Sequence, residues 1–235
     1  MSHRSIVTSR PLRRAFYERN TVRVAKDLLG KVLVRKLGDT RLEGIIVETE
    51  AYRGYDDAAS HAYRGPTRRN QVMFGEPGHA YVYFTYGMHY CLNVTTEPAG
   101  QAGAVLIRAV QPVKGIVEMK KRRRTEHVRD LCDGPAKLTQ AFSVTKALNG
   151  HDLTLGRKLY ITEPSRPEPL TITVGSRIGI SAGAEKFWRF SVRGNPFVSK
   201  RERPILVVKK LAATPRPFLA RSSAKVRRKA YLRRI

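Results

Sequence analysis

The segment Ile45-Ile46-Val47-Glu48-Thr49-Glu50-Ala51-Tyr52 is an apolar run that ends in two carboxylates and an aromatic ring. The run predicts a β-strand. Because side chains alternate between the two faces of a strand, Glu48 and Glu50 are predicted to point the same way.

A second segment, Tyr81-Val82-Tyr83-Phe84-Thr85-Tyr86-Gly87-Met88-His89-Tyr90, holds four tyrosines around a single glycine. It predicts a β-hairpin in which Gly87 supplies the turn and Tyr86 lies near the tip. A carboxylate pair beside an aromatic hairpin indicates an active site that stacks a flat ligand. A β-core with a solvated glutamate pair explains the two segments equally well.

The chain is strongly basic. Lys and Arg number 45 against 19 Asp and Glu, for a formal net charge of +26 and a pI near 10.8. This balance favours a polyanionic partner, most simply a nucleic acid. An anionic membrane is the competing partner, but no strongly amphipathic basic helix is evident. No apolar run of about 18 residues is present to span a bilayer, and the first residues hold no apolar signal segment. We therefore expect a cytoplasmic protein that does not enter a membrane.

Cys91 and Cys132 are the only cysteines, and they are isolated in the sequence. They support neither a disulfide framework nor a zinc site. The six histidines are scattered, and the zinc pattern of nucleobase deaminases is missing. We expect a protein of a reducing compartment that uses no metal and no other cofactor.

Length and composition favour one domain with basic ends, since 235 residues with 41% apolar content can form one substantial core. Residues 1–20 carry five arginines opposed only by Glu18, which predicts a loosely held arm. Residues 21–202 are predicted to form the domain. Residues 203–235 carry 11 Lys and Arg and no acid, and are predicted to be a basic tail.

Local patterns predict the first elements of the domain. Thr21 is a candidate cap for a short helix over residues 22–29. Two strands are predicted over residues 31–35 and 41–50, and Pro112 is predicted to open a later helix.

Two further segments are candidates for function. The loop over residues 53–70 is long for a compact domain, and loops of that length are more often functional than idle. Asp133-Gly134-Pro135-Ala136-Lys137-Leu138 predicts a helix start with Pro135 at the first helical position. Its free N–H groups, with Lys137, could bind a phosphate. An ordinary helix cap explains the same residues.

A nucleic-acid partner and a catalytic carboxylate together suggest a specific chemistry. A base inside a duplex is inaccessible, so an enzyme that acts on it must first take it out of the stack. Cleavage of the N-glycosidic bond would then resemble inverting glycoside hydrolysis, in which a carboxylate activates water. Spacing alone does not choose between Glu48 and Glu50 as that base.

A series of short motifs makes the interpretation more specific. In chain order they are Val47-Glu48-Thr49-Glu50-Ala51-Tyr52, Ala59-Ser60-His61, Arg69-Asn70-x-x-Met73-Phe74, Pro77-Gly78-x-x-Tyr81-Val82-Tyr83-x-x-Tyr86-Gly87-Met88, Leu92-Asn93, Leu106-x-Arg108, Gly134-Pro135-x-Lys137-Leu138 and Val192-Arg193-Gly194. Together they resemble the alkyladenine (3-methyladenine) DNA glycosylase family, the metal-free mixed α/β type, over about Ala25 to Ser199. The resemblance implies an α+β fold: one compact domain with a mainly antiparallel curved sheet, flanking helices and a tyrosine-bearing hairpin that inserts into DNA.

The resemblance also implies roles for individual residues. Glu50 matches the residue that deprotonates the attacking water, and Arg108 matches a residue near that water and the target phosphate. Tyr86 matches the side chain that replaces the flipped base in the duplex. Glu48 receives no catalytic role and is interpreted as structural.

Further residues match the pocket that receives the flipped base. Tyr52, His61 and Tyr83 match walls that stack on the base or hydrogen-bond to it. Asn93 matches the residue that crowds the amino group of an unmodified guanine, and Ile178 stands where the family has a small apolar residue.

Outside the pocket, Arg69 and Lys137 are predicted to contact DNA phosphates. Two positions in the recognition loop depart from the family pattern, because Tyr55 and Arg68 stand where prolines are typical. These departures bear on lesion preference.

The implied function is that of a monofunctional, monomeric DNA glycosylase. It would flip alkylated or deaminated purines out of double-stranded DNA, hydrolyse the N-glycosidic bond and start base excision repair. A glutamate base without an evident lysine nucleophile predicts an abasic-site product and no lyase step. Electron-rich tyrosine faces favour a cationic base. The rival interpretation is a non-catalytic DNA- or RNA-binding protein on the same scaffold.

Overall fold

A 14-residue strand forms the centre of the fold. The computed structural model describes residues 7–85, 87–199 and 206–210. The central strand, β3 (Thr40–Arg53), pairs with a neighbour along each edge. The strands in chain order are β1 Val7–Pro11, β2 Val32–Leu37, β3, β4 Ala80–Thr85, β5 His89–Thr95, β6 Gly103–Lys114, β7 Leu159–Pro164, β8 Leu170–Gly175, β9 Arg189–Val192 and β10 Leu206–Lys210.

The strand pairs described in this sheet are all antiparallel, in the order β1-β7-β2-β3-β6-β5-β4. The first part of β3 pairs with β2, and Glu48 to Glu50 pair with β9 on the same edge. Strand β9 then pairs with β8, which pairs with β10. The fold is therefore α+β with a mainly antiparallel sheet in one compact domain, which confirms the predicted class.

Short helices cover the sheet. They are α1 Arg14–Tyr17, α2 Thr21–Leu28, α3 Ile116–Arg123 and α4 Pro135–Ala141, with 3₁₀ turns at Gln71–Phe74, Val128–Asp130, Lys146–Leu148 and Leu153–Leu155. In the described part of the chain no helix exceeds eight residues, which is too short to cross a bilayer.

The main core lies between the sheet and these helices, with residues such as Leu28, Ile46 and Phe142 fully buried. A smaller cluster that includes Met73 and Tyr81 packs under the loop that follows β3. That cluster ties the loop to strand β4, so the loop is a packed part of the domain.

The predicted arm over residues 1–20 is wrong for its described part. Strand β1 pairs with β7, and Leu12 and Tyr17 are buried in the core. The arginines make the segment look solvent-exposed, but Leu12 and Tyr17 pack against the core. Burial of these two side chains holds the segment in the domain. Residues 1–6 lie outside the described part of the chain.

The start of the predicted tail needs the same correction. Residues 206–210 form β10, which pairs with β8 from Leu206↔Val174 to Lys210↔Leu170. Residues 211–235, including the end of the tail, lie outside the described residues. The boundary at residue 203 therefore falls before a strand of the sheet.

Two local predictions also change. Asn20, and not Thr21, caps α2, because its side-chain oxygen accepts from the N–H groups of Val22 and Arg23. Pro112 lies inside strand β6, paired with Gly44 next to a register shift. A proline cannot donate to a ladder and is tolerated at such an irregularity. Pro135 does begin α4 at its first turn, as predicted.

Candidate active site

A cavity of about 350 Å³ opens between strands β3 to β6, the loop after β3 and the loop after β8. This volume lies in the usual range for small-ligand sites, roughly 300–1,000 Å³. The structure brings together six of the predicted site residues in its wall: Tyr52, His61, Tyr83, Asn93, Arg108 and Ile178.

Glu50 lies behind the cavity and is fully buried. One carboxylate oxygen accepts from the Tyr52 hydroxyl at 2.8 Å and from the Arg108 guanidinium at 3.2 Å. The other accepts from the backbone N–H of Ile178 at 2.7 Å. The residues that supply these three donors line the cavity, so the carboxylate is held directly behind the cavity wall.

Burial raises the pKa of Glu50, and Arg108, the Ile178 N–H and the Tyr52 hydroxyl act in the opposite direction. Burial disfavours the charged form of a carboxyl group, so the ionised Glu50 is a stronger base than an exposed glutamate. A carboxylate in this state suits proton abstraction near neutral pH.

Glu48 occupies a different environment two residues earlier. Its carboxylate accepts from Arg108 Nε at 3.2 Å, Arg189 Nε at 2.7 Å, and both the N–H and the hydroxyl of Ser199 at 2.7 and 3.0 Å. The pairing of β3 with β6 shifts register on both sides of Glu48. Such a bulge re-aims side chains, and here Glu48 and Glu50 both reach the guanidinium of Arg108.

We call Glu48, Glu50 and Arg108 the charged floor. Neither carboxylate lines the cavity itself, and four hydrogen bonds occupy the oxygens of Glu48. All three residues that donate to Glu50 line the cavity, whereas Arg108 is the one residue donating to Glu48 that does so. The structure separates two residues that spacing in the sequence left equivalent.

Three further cavity residues, His61, Tyr81 and Tyr83, form what we call the aromatic wall. Tyr81 and Tyr83 are alternate residues of β4 and share a face, and both line the cavity. The His61 ring packs edge-on to Tyr83 with centroids 4.6 Å apart, and its Nδ1 lies 2.9 Å from the Tyr81 hydroxyl.

The aromatic wall is neutral. Desolvation, with a smaller effect of Arg69, lowers the pKa of His61. Burial raises the pKa of Tyr81 to about 12 and raises the pKa of Tyr83 further. The wall therefore presents uncharged rings with polar edges to a ligand, which is how aromatic side chains bind a flat heterocycle.

Asn93 is buried beside the wall and donates from its amide to the Tyr81 carbonyl at 3.1 Å. The hairpin of β4 and β5 has the predicted pairing, and Gly87 in its turn has a φ of +67°. Tyr86 lies outside the described residues. Next to it, Phe84 and Met88 are exposed.

Arg69 and Lys137 lie outside the cavity wall, and each has a partner within the chain. Arg69 lies over the Tyr83 ring, 5.2 Å from its centroid, and donates to the Phe84 carbonyl. The Lys137 ammonium group donates to both oxygens of Asp133, at 2.8 and 3.0 Å.

Tyr81 is a cavity residue that the sequence motifs did not identify, and Asp57 and Arg177 had no predicted role. Alternation along β4 could have identified Tyr81, because it shares the face of Tyr83. Asp57 and Arg177 form a buried ion pair across 120 residues of chain. No local pattern predicts a contact over that separation.

The described residues bring no three His, Cys, Asp or Glu side chains into an arrangement that could hold a metal ion. Cys91 and Cys132 are both buried free thiols. Burial raises the pKa of each thiol.

Comparison with known proteins identifies relatives of the whole domain. The sequence profile of the family described as methylpurine-DNA glycosylase matches residues 15–196. A protein from Carboxydothermus hydrogenoformans is 56% identical over 192 residues, which cover 81% of this chain and 99% of the relative. A protein from Chlorobium phaeobacteroides is 47% identical over 186 residues (79% and 94%), and one from Methanocella arvoryzae 47% over 196 residues (81% and 96%). All three carry the name "Putative 3-methyladenine DNA glycosylase".

Proposed function

The chain belongs to the methylpurine-DNA glycosylase family, and from this premise we propose that it flips a damaged purine out of duplex DNA and releases it with a water molecule activated by Glu50. It is a DNA glycosylase that acts on alkylation damage. The flipping step, the activated water and the roles of individual residues are our proposal. The observation that carries it is a buried carboxylate whose three hydrogen-bond donors all line one cavity.

The cavity supports recognition of a single extrahelical base. A purine inside a duplex cannot reach a concave site, so the nucleotide must rotate out of the stack. The rings of Tyr52, Tyr83 and His61 offer stacking faces and polar edges for that base. Buried Asn93 is proposed to crowd the amino group of unmodified guanine, and Ile178 is proposed to pack against the nucleotide.

The charged floor supports hydrolysis. We infer that Glu50 accepts a proton from water as the water oxygen bonds to C1′ of the target nucleotide. The C1′–N bond breaks at the same time, and its electron pair leaves with the base. Arg108, bound to both carboxylates of the floor, keeps the positive charge of the site close to the water and the target phosphate.

The leaving base accounts for the proposed selectivity. An alkylated purine with a positive charge departs as a neutral molecule, so it needs little help from a protein acid. The described cavity wall contains no lysine, which supports a monofunctional enzyme that leaves an abasic site.

Contacts with the duplex complete the proposal. Tyr86 is proposed to fill the gap left by the flipped base. Arg69 and Lys137 are proposed to bind phosphates, for which Lys137 must exchange Asp133 for a phosphate oxygen. We propose a monomer acting on double-stranded DNA that contains damaged purines, with the net charge of +26 supporting the electrostatic part of binding.

The decisive experiment measures base release. Duplexes that each carry one 3-methyladenine, 7-methylguanine, hypoxanthine or ethenoadenine are incubated with the full chain and then treated with alkali to cut at abasic sites. We expect cleavage at one or more lesions and none at undamaged purines. The Glu50→Gln variant, purified identically, controls for contaminating glycosylases. Tight binding of damaged DNA without any release would instead support the non-catalytic binding protein.

A further inference from the structure

Asp57 and Arg177 form an ion pair whose two side chains are completely buried. Two guanidinium nitrogens of Arg177 donate to the two oxygens of Asp57, at 2.6 and 2.7 Å. The same nitrogens donate to the carbonyls of Ala51 and Gly183, both at 3.0 Å. Asp57 in turn accepts from the backbone N–H groups of Arg53 and Ala59. The pair thus joins strand β3, the loop after it and the loop after β8.

This pair lies directly behind the groups that hold Glu50. Ile178, the residue after Arg177, donates its N–H to Glu50 at 2.7 Å. The guanidinium carbon of Arg177 is 4.8 Å from the centroid of the Tyr52 ring, whose hydroxyl donates to the other oxygen of Glu50. Two of the three donors to the carboxylate therefore depend on where Arg177 sits.

We propose that Asp57 and Arg177 are positioning residues for the proposed general base: their ion pair fixes the Ile178 N–H and the Tyr52 ring, and through them the Glu50 carboxylate. This inference rests on the proposed role of Glu50. Arg177 does not line the cavity, so it acts through its neighbours and does not contact the base.

Energetics favour positioning over stability as the reason for this pair. Removing two charges from water costs free energy that their attraction often only offsets, so a buried ion pair is weak evidence of stabilisation. What the pair supplies is geometry, because a bidentate guanidinium–carboxylate contact fixes both distance and orientation.

Gly183 supports this interpretation from the other side of the pair. Its φ is +66°, and a Cβ at this position would lie 2.9 Å from a guanidinium nitrogen of Arg177 and 3.2 Å from an oxygen of Asp57. The loop after β8 therefore closes on the ion pair with no room for a side chain. Ile178 belongs to the same loop, so this close packing also holds the Ile178 N–H beside Glu50.

The test is the pH dependence of single-turnover excision at saturating enzyme. In Arg177→Gln we expect a rate about 10- to 100-fold lower, since a displacement near 1 Å can cost about 100-fold. We also expect the acid limb of the profile to move to higher pH. Release of the Ile178 N–H removes a donor that stabilises the ionised carboxylate, while strand β3 and Arg108 keep Glu50 buried.

Other groups near Glu50 stay unchanged in this variant and so do not account for such a shift. They are Arg108 on β6, Glu48 on β3, Arg189 on β9, and Cys91 on β5. The Tyr52 hydroxyl, in contrast, is a donor that the variant releases together with the Ile178 N–H, and its loss moves the acid limb in the same direction. Asp57→Asn should move the acid limb in the same direction. The double variant should be no slower than the slower single variant, because both changes break one contact.

Arg14→Gln is the matched control, since it breaks another Arg–Asp contact, with Asp152 at 2.7 Å, outside the cavity. It should lower the melting temperature without moving the acid limb.

Arg177→Lys keeps the positive charge but cannot form the bidentate contact with Asp57. If Arg177→Gln does not fold, the same measurements are made on Arg177→Lys. A wild-type rate and acid limb in folded Arg177→Lys and Asp57→Asn would overturn the positioning role alone. Wild-type excision by Glu50→Gln would instead overturn the proposed function.

Discussion

The aromatic wall lines the cavity directly, the charged floor reaches it through Arg108, and the two are held in place by different interactions. Each oxygen of Glu48 and Glu50 has a hydrogen-bond donor, and their arginine partners are nearly fully buried. The aromatic wall relies on contacts between rings, on Arg69 over the Tyr83 ring, and on hydrogen bonds between neutral groups such as that of His61 with Tyr81. Its two tyrosines stand on the hairpin of β4 and β5, whose tip exposes Phe84 and Met88.

The difference assigns separate tasks to the two sides. Proton transfer needs a base held within a fraction of an ångström, and a fully bonded carboxylate on a central strand meets that need. Stacking on a flat base tolerates small displacements, and an aromatic hairpin meets that need. We therefore expect changes in the floor to alter rate, stability and pH dependence, and changes in the hairpin to alter the capture of the base.

Glu50→Gln should have the largest effect on excision. The amide keeps the shape of the side chain but cannot accept the proton from water. A positioned general base contributes about 10²–10⁴-fold, so the single-turnover rate should fall by that factor. Binding of lesion-containing duplex, measured by fluorescence anisotropy, should remain within threefold of wild type.

Glu48→Gln should act mainly on the fold. It leaves the buried guanidiniums of Arg108 and Arg189 short of a counter-charge, and breaking such a pair costs about 3–5 kcal/mol. For a domain of this size the melting temperature should fall by roughly 10 °C. The excision rate per folded molecule should change by less than tenfold. A Glu48→Gln protein that melts normally but does not excise would reverse the assignment of the two carboxylates.

The pH dependence of excision should reflect the titration of Glu50 in the charged floor and not that of His61 in the aromatic wall. Glu50 works when ionised, and burial raises its pKa, so excision should decline at a higher pH than an ordinary carboxyl group near 4.3 would give. Below that pKa the rate should fall about tenfold per pH unit. Desolvation lowers the pKa of His61, which favours its neutral form. The rate profile of His61→Asn should keep the wild-type acid limb, and a shifted limb would make His61 the titrating group.

Tyr86→Ser should have a smaller effect, confined to base capture. Taking a base out of the stack costs a few kcal/mol, part of which an inserted side chain offsets. A 2-aminopurine beside the lesion should brighten on flipping with wild type and brighten less with the variant. Tyr90→Phe, in the opposite strand of the hairpin, is the control. Equal signals in wild type and Tyr86→Ser would remove Tyr86 from the flipping step.

The sequence predicted the features that local pattern controls and missed those that depend on distant partners. The strand over residues 41–50, the hairpin around Gly87 and the helix start at Pro135 follow from alternation and turn chemistry. The N-terminal segment was misjudged because Leu12 and Tyr17 are two apolar residues in a basic stretch, and only the folded core gives them a place to pack. Pro112 was misjudged because the irregular pairing that tolerates it involves Gly44 on another strand.

The candidate site divides in the same way. Motif resemblance located Tyr52, His61, Tyr83, Asn93, Arg108 and Ile178, and the structure brings them to one cavity. The different surroundings of Glu48 and Glu50 come from Arg189, Ser199 and Ile178, which lie more than 120 residues further along the chain. A contact at that separation leaves no signal in a single sequence.

The smallest effect on excision is expected from deleting residues 221–235, which lie outside the described residues and outside both sides of the cavity. The segment carries seven Lys and Arg and no acid (Arg221, Lys225, Arg227, Arg228, Lys229, Arg233 and Arg234). We propose that it neutralises phosphates without selecting a base. Each phosphate it neutralises steepens the log–log salt dependence of duplex binding by about 0.9. The deletion should therefore flatten that slope and weaken binding to undamaged DNA, while single-turnover excision at saturating enzyme stays unchanged. If the tail instead docks as a structural helix through Val226 and Leu232, the deletion will lower the melting temperature or the saturated rate and leave the salt slope as it was.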